Sequence, residues 1–115
     1  RRYKRLFKKH EIKFLEQENL EKVLPEMDII YMTRIQKERM SKEDYEKSNG
    51  NYKINQGSLE LIKKDSIILH PLPHLEEINL PTEIEQNDKR IAYFRQAENG
   101  LYIRMAILES LLIED

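Results

Sequence analysis

Two patterns of apolar spacing alternate along the chain. In one, apolar side chains recur three or four residues apart, as on one face of a helix. In the other they form a short unbroken run, as in a strand covered on both faces of a parallel sheet. Tyr3, Leu6 and Phe7, with cations between them, predict a short amphipathic helix, and residues 12–15 (IKFL) predict a compact strand. Leu20, Val23 and Leu24 predict one or two helical turns closed by Pro25 and Met27. Residues 28–32 (DIIYM) form the first unalternating strand. Ser41 is placed to cap a short helix through Tyr45, and 48–51 (SNGN) read as a turn. The order then repeats, with a helix over 57–64 and a second unalternating strand over 66–69. A loop from Pro71 to about Asp88 leads into 89–112, where Ile91, Phe94, Leu101, Met105 and Leu108 mark a long helix. Gly100 lies inside it or kinks it, since an internal glycine costs about 1 kcal/mol relative to alanine. Helices alternating with buried strands predict an α/β domain, a three-layer parallel sheet with helices on both faces and right-handed crossovers.

Composition narrows what such a domain can be. With 115 residues, 39% of them hydrophobic, there is material for one modest core, hence one domain or part of one. The charged fraction is 36% but the net charge only −1, which argues against a general polyanion binder. The one asymmetry is residues 1–9, basic with no acid among them. They allow a second reading, an interaction module touching nucleic acid or a partner. No aromatic stacking platform accompanies them, and a charged helix is ordinarily a solvated face, so neither nucleic acid nor membrane is expected as a partner. There is no cysteine, hence no disulfide framework, which fits a reducing compartment. No apolar run approaches the roughly 20 residues that span a bilayer, and a cytoplasmic location is expected. The chain opens on Arg1, in what reads as the middle of a helix, and is expected to be a piece of a longer polypeptide. Gly50, Gly57 and Gly100 form no G-x-G-x-x-G, so no dinucleotide cofactor is expected.

Open parallel sheets bind ligands beyond the carboxyl ends of their strands. The first such end reads Tyr31-Met32-Thr33-Arg34-Ile35-Gln36. If extended geometry continues, Arg34 and Gln36 project from the same side, and a planar guanidinium there suits a carboxylate bound through two parallel hydrogen bonds. The alternative is that Arg34 simply pairs with Glu38. The second end reads His70-Pro71-Leu72-Pro73-His74. Histidines four apart share a face only in a helix, which the prolines forbid, so a metal site is not expected. The prolines remove two backbone donors and leave neighbouring carbonyls short of local partners, so that those oxygens can face a ligand; a Leu-Pro bond can also be cis. The alternative is a stiff structural turn.

Taken together, DIIYMTRIQKERM, ILHPLPHLEEI and AYFRQAENGLYIRMAIL resemble the catalytic chain of the aspartate carbamoyltransferases, from about Asp28 to Leu112 in the same order. Ornithine-specific relatives usually carry cysteine where this chain has Pro71. The resemblance implies transfer of the carbamoyl group of carbamoyl phosphate to the amino group of L-aspartate, in de novo pyrimidine synthesis, by a homotrimer that needs no cofactor. It further implies that residues 1–92 are most of the aspartate-binding domain and that 93–115 return to pack on a carbamoyl-phosphate domain. Arg34 would clamp the aspartate side-chain carboxylate, Gln36 would orient it, and Glu38 would hold Arg34. Leu72 would offer its carbonyl to the carbamoyl nitrogen, and Pro73, after a cis bond, would shape the turn. The groups that polarise the carbonyl and cradle the phosphate would lie outside this segment, so no catalytic residue is expected within it and the segment alone is expected to be inactive. An inactive homologue with a structural role is the remaining reading. His74 stands where the family usually has arginine, which puts an ion pair to Glu76 or Glu77 in doubt. Because histidine titrates at about 6.5, it would also make the local charge depend on pH.

Overall fold

The computed structural model describes residues 2–36, 40–43, 45 and 52–113. Two short strands, β1 (Ile29–Tyr31) and β2 (Ile67–Leu69), pair in parallel with Ile30 opposite Ile68. The ladder continues past the strand end, where Met32 N–H donates to the Leu69 carbonyl at 2.9 Å. On its other edge β2 meets the segment entering the long helix: Ile68 N–H donates to the Arg90 carbonyl (2.7 Å) and Ala92 N–H to the Ile68 carbonyl (2.9 Å). Strand β2 is thus hydrogen-bonded along both edges, and Ile68 at its centre is fully buried. A second parallel bridge, Ile54 to Ile78, draws the chain beyond β2 back against residues 52–54.

Five further named elements accompany this sheet among the described residues. They are α1 (Arg2–Lys9), a 3-10 turn (Leu24–Glu26), α2 (Gln56–Leu61), α3 (Thr82–Asn87) and α4 (Tyr93–Leu112). Helix α2 starts where Asn55 accepts the Ser58 N–H (3.0 Å) and the Ser58 hydroxyl oxygen accepts the Asn55 N–H (3.2 Å), a reciprocal cap that satisfies two otherwise orphaned donors. Leu24, Ile30, Ile54, Leu59, Ile68, Ile78, Ile91 and Tyr93 close into one core. At the amino ends of the strands, the Lys63 ammonium bridges the Asp28 carboxylate (2.7 Å) and the Glu26 carbonyl (2.8 Å).

The α/β class and the parallel pairing agree with the sequence reading; several elements differ. Residues 12–15 are not a strand: no described segment pairs with them, and Phe14 packs on Phe7 of α1 at a centroid distance of 5.5 Å. Strand β1 is covered on one face only, since Ile30 is buried while Ile29 and Tyr31 are 59% and 55% exposed. The stretch expected to be loop from Pro71 to Asp88 contains α3. Its signal is Pro81 followed by Thr-Glu-Ile-Glu, a fixed φ ahead of acids in the first helical turn. Helix α4 begins at Tyr93 rather than near Lys89, because Ile91 is held in the ladder and Arg90 is drawn aside by Asp88. Gly100 sits inside α4. Tyr45 N–H donates to the Ser41 carbonyl (3.0 Å), in keeping with a short helix there, whereas 48–51 lie outside the described residues.

Candidate functional site

The carboxyl end of β2 runs straight into His70, where the chain enters a turn fixed by side chains. Pro71 and Pro73 have no N–H to give. Three of the donors that remain go to side chains: His70 N–H to Gln96 Oε1 (3.0 Å), Leu72 N–H to His70 Nδ1 (2.9 Å), Leu75 N–H to Glu77 Oε1 (2.9 Å). Gln96 lies on α4 and its amide nitrogen donates onward to the Tyr31 hydroxyl (3.3 Å) at the end of β1. The Leu72–Pro73 bond is cis, as the resemblance implied, and Leu72 has φ of 51°. A leucine takes up that left-handed conformation only where its surroundings impose it.

His70 is the keystone of this turn. Its ring is 1% exposed. Burial pushes the imidazole below its ordinary value, while the Glu77 carboxylate pulls the other way and the neighbouring His74 adds slightly to the lowering. Because the Leu72 N–H donates to Nδ1, that nitrogen carries the lone pair and the ring proton lies on Nε2. That nitrogen stands 3.1 Å from Glu77 Oε1, close enough for attraction but off the alignment of a good hydrogen bond. Glu77 is itself buried, and the one oxygen serves both His70 and Leu75 N–H.

Beside the turn lies a cavity of 330 Å³ lined by Arg34, Tyr45, Tyr52, Leu75, Glu76 and Glu77, among others. It joins the two strand ends that the sequence singled out, since Arg34 comes from beyond β1 and residues 75–79 from beyond β2. Gln36 is exposed, and the cavity walls do not include it. Leu72 is half-buried and Pro73 exposed, both just upstream of the wall that Leu75 begins. Glu38 lies outside the described residues. The histidine at position 74 puts an ion pair with Glu76 or Glu77 in doubt, and His74 Nε2 stands 2.9 Å from Glu85 of α3. A larger groove of 580 Å³ lies between α2 and α3. Its cation, Arg90, is spent on Asp88 and on the Leu59 carbonyl (2.6 Å).

Sequence reading misses the residues that hold the turn. It offers Glu77 only as a partner for residue 74, and Gln96 and Glu85 not at all. Gln96 is 26 residues from His70, and no local pattern announces such a contact. An acid two residues after Leu75 is a local signal for the Glu77 contact.

Comparison with known proteins gives this arrangement its context. Residues 1–111 match the family model described as aspartate/ornithine carbamoyltransferase, Asp/Orn binding domain. The aspartate carbamoyltransferase catalytic subunit of Clostridium acetobutylicum is 44% identical over 110 residues, covering 95% of this chain and 35% of its own length. A chloroplastic aspartate carbamoyltransferase of Pisum sativum is 44% identical over 104 residues, covering 89% of this chain and 26% of its own. Among solved structures, the catalytic subunit of M. jannaschii aspartate transcarbamoylase superposes with a TM-score of 0.80 at 39% identity, over 93% of this chain and 34% of that one. The Trypanosoma cruzi enzyme in complex with carbamoyl phosphate and aspartate gives 0.75 at 29% identity, over 91% and 32%. The chain thus spans about a third or less of the length of these relatives. With the family model matched almost end to end and the same fold in its relatives, this chain belongs to the aspartate/ornithine carbamoyltransferase family, through its aspartate/ornithine-binding domain.

Proposed function

We propose that the longest native chain containing this segment transfers the carbamoyl group of carbamoyl phosphate to the amino group of L-aspartate, giving N-carbamoyl-L-aspartate and phosphate in de novo pyrimidine synthesis. The observation that carries this reading is the cavity in which Arg34 faces the segment leaving the Leu72–Pro73 turn. A guanidinium there can take the aspartate side-chain carboxylate in two parallel charge-assisted hydrogen bonds. Gln36 orients the same ligand once it is bound, and Glu38, as the family resemblance implies, holds Arg34 in place. The Leu72 carbonyl, in a turn whose Leu72 N–H is already taken by His70, accepts a hydrogen bond from the carbamoyl nitrogen, and Pro73 keeps it still.

In the reaction the aspartate amino nitrogen attacks the carbamoyl carbon. The nitrogen gives up a proton, the bond from carbon to the phosphate oxygen breaks, and phosphate leaves with the bonding pair. No electrons are exchanged with a redox partner, so the chemistry calls for no redox cofactor. This segment contributes positioning of the two substrates, which can account for several kcal/mol of a barrier, on the order of 7 when geometry is ideal. Polarisation of the carbonyl and neutralisation of phosphate come from residues elsewhere in the assembly, so residues 1–115 alone are inactive.

Aspartate rather than ornithine is favoured by the cation Arg34 on the cavity and by Pro71 where ornithine-specific chains usually have cysteine. Residues 1–92 are then most of the aspartate-binding domain, while 93–115 pack on the carbamoyl-phosphate domain. Support for that division is the apolar surface that α4 leaves open, with Leu101, Ile103, Leu108 and Leu111 each more than half exposed. The working unit is a homotrimer in the cytoplasm, engaging neither nucleic acid nor membrane; no helix among the described residues is long and apolar enough to cross a bilayer.

The test is phosphate release by the longest native chain, with aspartate and then with ornithine as acceptor. Release should require aspartate, and Arg34→Ala should raise the aspartate KM by about 10- to 100-fold, the worth of a hydrogen-bonded charge pair at roughly 1.5–3 kcal/mol, with a smaller effect on kcat. A folded protein that releases phosphate with neither acceptor would overturn the assignment in favour of an inactive homologue.

A further inference from the structure

The chain is gripped a second time on the far side of the turn, by a carboxylate that the reaction does not use. His74 follows Pro73 directly. Its Nε2 stands 2.9 Å from Oε1 of Glu85 on α3, and the same oxygen accepts the hydroxyl proton of Tyr93 at the start of α4. These groups are well enclosed: the His74 side chain is 25% exposed, Glu85 12% and Tyr93 0%. Burial, and then the Glu85 carboxylate, hold the Tyr93 phenol protonated well above its ordinary value. The His74 ring meets Tyr93 edge-on at 5.5 Å and His70 edge-on at 6.1 Å. Three rings thus stand in a row behind the turn, and each of the two imidazoles has its own carboxylate.

We propose that Glu85 is a positioning residue for the Leu72–Pro73 turn, acting through His74. The inference rests on the carbamoyl transfer proposed above, in which the Leu72 carbonyl meets the substrate. Its physical basis is that a segment with prolines at 71 and 73 cannot be anchored through its own backbone donors at those positions, so side chains must fix it from both ends. Upstream, His70, Gln96 and Glu77 do this. Downstream, the ring that follows Pro73 is held by Glu85. A carboxylate so enclosed is costly unless paired, and here it has two partners, one on the turn and one in the core. Helix α3 has no fully buried residue of its own, so this contact also ties a short helix to the turn it flanks.

The experiment compares the longest native chain with its Glu85→Ala, Glu85→Gln, His74→Ala, Tyr93→Phe and Glu85→Ala/His74→Ala variants. Amide hydrogen exchange over 70–78 is read alongside kcat and KM. Glu85→Ala should speed exchange over 70–78 by about tenfold while leaving β1 and β2 as they are, and should lower kcat about tenfold with the aspartate KM within about twofold. Glu85→Gln, which keeps an acceptor oxygen, should restore most of both. Tyr93→Phe leaves the His74 contact in place and should resemble the parent. The double variant should be no worse than the worse single one. Should Glu85→Ala fail to fold, His74→Ala and Glu85→Gln carry the same comparison. Unchanged exchange over 70–78, faster exchange spread over both strands, or additive losses in the double variant would each overturn the proposal. A folded parent without aspartate-dependent phosphate release would instead overturn the reaction, while its exchange pattern would still report on Glu85.

Discussion

Replacing His70 by alanine removes one ring and strands two groups at once. Leu72 N–H loses the acceptor it reaches at 2.9 Å, and the Glu77 carboxylate, 5% exposed, loses the imidazole 3.1 Å away. A buried donor left without a partner costs roughly 1–3 kcal/mol, and a buried carboxylate that loses a neighbouring N–H costs at least as much. Here Glu77 keeps Leu75 N–H, so the lower end of that range applies to it. The two effects share one site and are not additive, so His70→Ala should cost about 2–4 kcal/mol, a large part of the roughly 5–15 kcal/mol that typically separates folded from unfolded. His70→Asn serves as the control. Its side-chain oxygen can stand near the place of Nδ1 and accept the Leu72 N–H, but it cannot reach Glu77, so it should recover roughly 1–2 kcal/mol of the loss. The assay is urea unfolding of the longest native chain, followed at constant m-value so that the midpoints report stability alone. A cost below about 1 kcal/mol for His70→Ala, or an asparagine variant no better than the alanine one, would mean that the turn is not held by this ring.

Contacts remote from the turn carry two more predictions. Asn55→Ala breaks the reciprocal cap of α2 and should destabilise by about 1 kcal/mol, read as a shifted urea midpoint; no shift would mean that the cap is redundant with the packing of Leu59 and Ile62. The Arg90 guanidinium, by hydrogen bonds that outweigh the opposing effect of burial, holds the Asp88 carboxyl below the usual carboxylate range. A carboxyl depressed in the folded state stabilises above its unfolded pKa, about 3.9, and loses that contribution as pH falls through the folded value. Asp88→Asn should therefore lower stability at pH 7 and flatten the stability profile below about pH 4; equal acid slopes in the two proteins would show that the pair contributes nothing.

Local chemistry determined much of this protein before any fold was known. The unbroken runs at Ile29–Tyr31 and Ile67–Leu69 are strands, because β-branched residues flanked by polar turns have few other uses. The prolines at 71 and 73 marked a turn with bare carbonyls, because a missing N–H is a property of the residue itself. The resemblance carried by TRIQ and HPLPH led to the family for the same reason: these are short constellations whose chemistry sits in consecutive residues. Tertiary structure decided what depends on distance through space. That no described strand pairs with residues 12–15, and that Ile29 and Tyr31 remain open, depends on which neighbours arrive, since a strand exists only with a partner to satisfy its donors and acceptors. The same holds for the turn. Gln96, Glu77 and Glu85 reach it from three different places in the chain, and they settle near the histidines because a buried imidazole or carboxylate must be paired by whatever group the fold brings within about 3 Å.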